Sequence, residues 1–151
     1  MTDFYLQHQW QVNKGRCGVC GDPWEATPRP NEQGGKYANG IISRTYHTDD
    51  SHINIAIEVE TNKNGYFEFR LCPEISDKNP VTQECLDRYP LDILGHGKRF
   101  YPPSAGMMYL QVAIPTGVMC ERCVLQWKWH TGKYIIVFVC KILEDTSAHK
   151  I

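Results

Sequence analysis

The cysteines are the residues of this sequence whose type and spacing most directly suggest chemistry. Cys17 and Cys20 form one C-x-x-C pair, and Cys120 and Cys123 form a second. Four thiolates in two such pairs can hold a tetrahedral zinc ion. The gap between the pairs is far longer than in a zinc ribbon, and no βαβ pattern surrounds either pair, as a thioredoxin-like redox motif would require. We therefore favour structural disulfides for these four cysteines and keep an intracellular zinc-stabilised interaction domain as an alternative.

A further pair of cysteines, Cys72 and Cys85, encloses 12 residues and predicts a disulfide that restrains the strand end at Leu71. Seven cysteines in a chain of this length indicate an oxidising compartment and leave one thiol over. The first residues, MTDFYLQHQW, lack the basic start and apolar block of a signal peptide. Either the true start lies upstream, or the cysteines bind metal in a reducing compartment.

The histidines give weaker signals. His47 and His52 flank Thr-Asp-Asp-Ser, a set that could bind a divalent metal but is more typical of a solvated turn before a strand. His96 and His130 have no nearby sequence partner that would make either a catalytic base. The sequence therefore predicts no metal site.

Length and charge restrict the class of protein. The chain has 151 residues, of which 42% are hydrophobic, and a formal net charge of −1. These values are typical of one compact domain with a single core. The absence of a basic run argues against nucleic acid as a partner. The longest apolar run, Ile135–Cys140, is far shorter than the roughly 20 residues of a membrane span, so no membrane partner is expected.

Alternation of apolar and polar residues predicts several strands with one buried face. The clearest run is Ile53–Val59, and similar runs follow at 66–72, 110–114 and 125–129. Only residues 82–88 predict a helix, of about two turns at most. Connections rich in proline and glycine separate the runs. The expected fold class is all-β, an immunoglobulin-like or fibronectin-like antiparallel β-sandwich with long disulfide-linked loops.

Two features concern the connections and the end of the chain. The Asn64-Gly65 pair predicts a hairpin between the strands at 53–60 and 66–72. The final segment, KYIIVFVCKILEDTSAHKI, is apolar on both faces before it becomes weakly polar. It predicts either a fully buried last strand or a non-native ending of a truncated or differently spliced product.

Tyrosines are spread over the strand ends and loops of this sequence. A tyrosine offers an apolar face and a polar edge, which suits a sugar ring. Tyr37 and Tyr66 are the two that we select as candidate substrate contacts. A half-buried structural position is the usual alternative for a tyrosine in a sandwich.

Five strings occur in order along the chain: CGVCGDPW (17–24), GGKYANGII (34–42), NGYFEFRLCP (64–73), TQECLDRYPL (82–91) and CVLQWKWHTG (123–132). Together they resemble the arthropod-type lytic polysaccharide monooxygenases of auxiliary activity family fifteen, also called chitin-binding type-4 domain proteins. The resemblance implies a secreted, disulfide-bonded, immunoglobulin-like β-sandwich. It also implies a copper ion on a flat surface, which uses oxygen or peroxide to cut crystalline chitin or cellulose.

In that family a histidine brace holds the copper through an N-terminal histidine and a second histidine. The second histidine lies two residues before the glycine of the GYFEF strand, and Lys63 occupies that position here. An ammonium group has no lone pair to give copper. The chain begins with Met1, and His8 does not match the family's first histidine. The resemblance thus implies no copper in this chain, and we expect Lys63→His alone to create no tight copper site.

The sequence departs from the family pattern after residue 132, where no axial aromatic residue can be assigned. We therefore divide the chain into residues 1–132, a sandwich truncated at its N-terminus, and residues 133–151, a divergent tail. The leading hypothesis is a secreted, monomeric, catalytically inactive protein that binds chitin or a related insoluble polysaccharide. One alternative is the incomplete product of an active secreted copper monooxygenase that cleaves chitin or cellulose. The zinc-stabilised domain is the other.

Overall fold

Strands account for nearly all the regular structure of the described residues. The computed structural model describes residues 11–37, 42–46, 50–73, 75–76, 78–118, 122–131 and 135–145. One short helix, α1, covers Gln83–Asp87. The strands are β1 (Ile42–Tyr46), β2 (His52–Val59), β3 (Tyr66–Cys72), β4 (Gly106–Ala113), β5 (Arg122–His130) and β6 (Ile135–Asp145). No helix within these ranges is long and apolar enough to cross a membrane.

The strands form two sheets with the core between them. One sheet has the order β1-β6-β5-β3, and β2 and β4 form the other. Neighbouring strands are antiparallel except β1 and β6, which run parallel. Alternate residues of β2, β3, β4 and β5 bury their side chains between the sheets, with Phe67 and Val112 fully enclosed. The all-β sandwich prediction is confirmed, apart from the parallel pair.

The predicted hairpin between β2 and β3 is wrong. Asn64 and Gly65 do adopt the left-handed conformation, with φ of 61° and 76°. The connection nevertheless passes from one sheet to the other, since β2 pairs with β4 and β3 pairs with β5. Gly65 is needed because a Cβ there would overlap the backbone carbonyl of His130.

The segment after β3 folds as the sequence predicts. Thr82 caps α1 by accepting a hydrogen bond from the backbone N–H of Cys85 at 3.1 Å, and Leu86 is buried. Cys85 then lies against the end of β3, where it forms the predicted disulfide with Cys72. The helix and the disulfide together hold this loop against the sheet.

Of the other cysteines, Cys20 and Cys123 are disulfide-bonded as predicted, and the predicted disulfide of Cys17 is wrong. Cys20 pairs with Cys140 of β6, across 120 residues, and Cys17 is a free thiol. Cys123 is disulfide-bonded, whereas Cys120 lies outside the described residues. The Cα atoms of Cys20 and Cys140 are 5.3 Å apart, as a disulfide requires. The thiol of Cys17 instead lies near the charged side chains of Lys128 and Arg29. Because Cys20 and Cys123 are oxidised, the zinc alternative is wrong.

The N-terminal loop covers the outer face of the sheet that contains β3 and β5. Gln126 of β5 is fully buried there and donates a hydrogen bond from Nε2 to the carbonyl of Val19 at 2.6 Å. The Cys20–Cys140 disulfide attaches the same loop to β6. Strand β6 pairs with both β5 and β1, so the backbone of Ile135–Asp145, within the divergent tail, is part of this sheet. The division of the sequence after residue 132 stays a prediction.

Candidate functional site

Lys63 lies in a turn that hydrogen bonds hold in place. The side chain of Asn62 donates to the carbonyl of Pro102 at 3.3 Å and accepts from the backbone N–H of Asn64 at 2.9 Å. Trp129 of β5 donates from Nε1 to the carbonyl of Asn64 at 2.9 Å. The turn is therefore fixed at the end of the β3–β5 pair, with Lys63 half-buried.

An aromatic and cationic cluster follows directly at the start of β3. The Tyr66 ring stacks on the imidazole of His130, with centroids 4.6 Å apart. The Arg99 guanidinium lies 4.4 Å from the centroid of the Tyr66 ring. The Tyr101 ring is 5.6 Å from that of Tyr66, and 61% of Tyr101 is exposed. We call these four residues the Tyr66 cluster.

One carboxylate ties the Tyr66 cluster to the sheet. Glu68 contacts Nε2 of His130 at 2.7 Å, Arg70 at 3.1 Å and Arg99 at 3.7 Å. Burial by itself would raise the pKa of Glu68, but Arg70 and His130 outweigh it and hold that pKa below its usual value. Glu68 is therefore ionised at neutral pH.

His130 acts here as a neutral hydrogen-bond donor. Burial lowers its pKa below the ordinary value of 6.5, although Glu68 opposes the change. An ionised carboxylate can only accept, so Nε2 of the neutral ring carries the proton that points to Glu68. This contact fixes the tautomer and the orientation of the ring against which Tyr66 stacks.

The structure separates the two tyrosines selected from the sequence. Tyr66 belongs to the cluster beside Lys63. Tyr37 lies in the N-terminal loop, where its N–H donates to the carbonyl of Pro30 and the amine of Lys36 is 5.3 Å from its ring centroid. Its side chain is 63% exposed, and among the described residues no contact joins it to Tyr66.

Sequence reasoning missed the remaining members of the cluster. His130 reaches Tyr66 because the two residues are directly paired in the β3–β5 register. Arg99 and Tyr101 reach it because Phe100 forms a backbone bridge with Phe67. The exposed Arg99 and Tyr101 flank the half-buried Phe100. This alternation of exposed and half-buried residues is the one signal that could have indicated them.

Lys63 and His130 are the two residues at this end of the molecule whose side chains bear on copper binding. Lys63 has an amine where the family resemblance places an imidazole, and Nε2 of His130 is engaged by Glu68. Within the described ranges, no group of three or more His, Cys, Asp or Glu residues could hold a metal ion. His52 contacts Ser51 and Gln111, and His47 lies outside the described residues.

The fold and site thus define a disulfide-bonded β-sandwich with an aromatic and cationic cluster at one end. Residues 4–136 match the family described as lytic polysaccharide mono-oxygenase, cellulose-degrading. The solved structure of the AA15 lytic polysaccharide monooxygenase from Thermobia domestica in the Cu(I) state is similar, with a TM-score of 0.84 and 33% identity. That similarity covers 93% of this chain and 82% of the other. No curated protein sequence matches.

The chain therefore belongs to the lytic polysaccharide monooxygenase family. Members of this family depend on copper and act on insoluble polysaccharides. They are generally secreted, which agrees with the two disulfides whose partners are both described.

Proposed function

We propose that this chain binds chitin or a related insoluble polysaccharide without cleaving it by copper chemistry. The observation that carries the proposal is Lys63. It replaces an imidazole nitrogen with an ammonium group, in a turn that hydrogen bonds fix on both sides. An ammonium group repels a copper cation and offers it no lone pair. We place the protein outside the cell, as a monomer.

The Tyr66 cluster supports the part of this proposal that concerns polysaccharide binding. Tyr101 presents an exposed ring beside Tyr66, and Arg99 adds planar donors that can reach sugar hydroxyls. The stacking of Tyr66 on His130 holds its ring in place without a ligand, which lowers the entropy lost on binding. We keep Tyr37 as a second proposed contact, separate from the cluster.

Depletion of the oxidised, monomeric protein by insoluble chitin tests the binding, with cellulose in parallel and EDTA present throughout. We expect binding that survives EDTA, because the proposed contacts need no metal. Tyr101→Ala should weaken it by about tenfold, since it removes an exposed aromatic platform. Met107→Ala is the control, because Met107 is an exposed apolar residue on the other sheet and lies outside the Tyr66 cluster. A folded protein that binds neither polymer would contradict the proposal.

An assay for oxidised products tests the loss of copper chemistry. The chain is supplied with copper, a reductant and peroxide on chitin and on cellulose, and soluble oxidised oligosaccharides are measured. We expect no product above the copper-free control, because Lys63 does not supply one of the nitrogen ligands of copper.

The alternative is that this chain is itself an active secreted copper monooxygenase. The 33% identity to a relative solved in the Cu(I) state favours it. Copper-dependent oxidised products in the same assay would establish this alternative and overturn the proposed inactivity. The result would also show which of the two polymers is cleaved.

A further inference from the structure

The outer face of the β2–β4 sheet carries side chains that the core does not use. Strand β2 turns alternate residues inward, which leaves Asn54 and Ala56 facing out. The register places Asn54 opposite Gln111, and Ala56 opposite Tyr109. Cross-strand neighbours on one face lie about 5 Å apart, so these four residues form a contiguous surface.

A groove of about 440 Å³ lies on this face, and its size is in the range of small-ligand sites. One wall is the segment that runs beside β4, where the N–H of Leu94 donates to the carbonyl of Gln111 at 2.8 Å. The chain then turns away at Gly95, whose φ is 82°, and leaves space next to Tyr109. His96 lies at the turn, with its ring against Phe100 at 4.8 Å.

The lining combines one aromatic face with amide groups. Tyr109 is 78% exposed, and the small Ala56 opposite leaves its ring accessible. Gln111 donates from Nε2 to Oδ1 of Asn54 at 3.2 Å, which positions the two amides side by side. Amides supply both donors and acceptors, as a row of hydroxyl groups requires.

The uncharged lining of the groove restricts the class of ligand that can bind there. The residues that line the groove include no Asp, Glu, Lys or Arg. Two carboxylates lie outside this lining: Glu58, opposite Met107, and Asp92, which pairs with Lys98 at 2.8 Å. A charged ligand would lose its hydration here without gaining a partner. A neutral molecule with apolar faces and many hydroxyls loses less and satisfies the amides.

We propose that this groove binds a single chain of a neutral oligosaccharide, stacked on Tyr109 and hydrogen-bonded by Asn54 and Gln111. It is a second site, separate from the Tyr66 cluster. Tyr66 and Glu68 face outward from the sheet that contains β3, on the other side of the core from Tyr109. The site needs no metal and does not depend on whether the chain retains copper chemistry.

A titration with soluble sugars tests this site directly. The N-acetylglucosamine hexamer and cellohexaose are added separately to the folded, oxidised protein, and amide NMR shifts and calorimetric affinity are recorded. We expect saturable shifts at Asn54, Tyr109 and Gln111 with at least one of the two sugars. Tyr109→Ala should weaken that binding by about tenfold, while Tyr109→Phe keeps the stacking and most of the affinity.

Met107→Ala is the matched control, because Met107 is exposed on the same face of β4 but lies outside the lining. It should leave the affinity unchanged. If Tyr109→Ala unfolds, Gln111→Ala tests the same groove through its amide. The proposal is overturned if neither hexamer shifts these residues, or if the folded groove variants bind as tightly as the unaltered chain.

The same variants separate this site from the proposed function. Tyr109→Ala should lose binding of the soluble hexamer and keep adsorption to insoluble chitin, whereas Tyr101→Ala should do the reverse. If folded Tyr109→Ala loses both hexamer binding and adsorption to insoluble chitin, one surface serves both ligands. That result would overturn the second site.

Discussion

For single residues, the conformation of a turn can be independent of the side chain that it presents. Lys63 sits in a turn held by Asn62, Asn64 and Trp129, whose hydrogen bonds involve its neighbours and not its own side chain. The turn does not require any particular side chain at this position. A metal ligand does require a lone pair in the right place, which a protonated lysine does not have.

The pair formed by His130 and Glu68 gives a prediction about pH. Burial places the pKa of His130 below its ordinary value of 6.5, and Glu68 partly offsets this by favouring the charged ring. Glu68→Gln removes that carboxylate, so the pKa of His130 should fall further. NMR titration of the imidazole Cε1–H signal measures both values. A rise in the mutant would contradict the assigned geometry.

The same pKa shift fixes the sign of the pH dependence of stability. Because the pKa of His130 is lower in the folded than in the unfolded chain, the unfolded chain binds more protons between the two values. The contribution of this residue to stability is therefore present above pH 6.5 and is lost as the pH falls toward the folded pKa. Replacing His130 with Gln should remove this part of the pH dependence of stability. Melting temperatures of the two proteins between pH 7 and pH 5 measure it.

At the scale of elements, β3 has two functions on its two faces. Phe67, Phe69 and Leu71 point into the core, where Phe67 contacts the rings of Trp127 and Trp129 edge-on. Tyr66 and Glu68 point outward and form the candidate site. Any displacement of β3 in the core would therefore move the cluster as well.

The Cys72–Cys85 disulfide gives a prediction at this scale. Replacing both residues with Ala frees a 12-residue loop and increases the conformational entropy of the unfolded chain. We expect the free energy of unfolding to fall by about 3 kcal/mol. Urea denaturation measures it, with Thr82→Ala in the same loop as a control that should cost about 1 kcal/mol through loss of the helix cap. A smaller loss for the double mutant than for the cap mutant would refute this account.

At the scale of the whole molecule, the Cys20–Cys140 disulfide joins the N-terminal loop to the last strand. The loop covers the buried Gln126, so the outer face of the β3–β5 sheet depends on the connection. A link across 120 residues restricts the unfolded chain more than the shorter disulfide does, because the entropy of loop closure grows with the logarithm of loop length.

Replacing Cys20 and Cys140 with Ala should therefore lower the free energy of unfolding by about 4 to 5 kcal/mol, more than the loss for Cys72 and Cys85. The urea midpoints of the two double mutants give the comparison. Cys17→Ala is the control, because that thiol is free and should change stability by less than about 1 kcal/mol. The reverse order of the two double mutants would show that loop length does not govern their stability.

Local features of the fold were predictable from the sequence because they depend on neighbouring residues. The alternation in β2 and β3, the helix after Thr82 and the Cys72–Cys85 disulfide all involve residues that are at most 13 positions apart in the chain. The partners of each strand were not predictable. Asn64 and Gly65 form the expected turn conformation, but which sheet the next strand joins depends on long-range packing.

The class of this protein was predictable from its residues alone: a β-sandwich of the lytic polysaccharide monooxygenase family, with lysine at position 63. The pairing of Cys20 with Cys140 and the contacts of His130 and Arg99 with Tyr66 became visible only in the folded molecule. The same is true of the groove that Tyr109 borders on the other sheet. Side-chain periodicity depends on neighbouring residues and can be recognised in the sequence. These contacts join residues far apart in sequence, and the packing of the two sheets determines them.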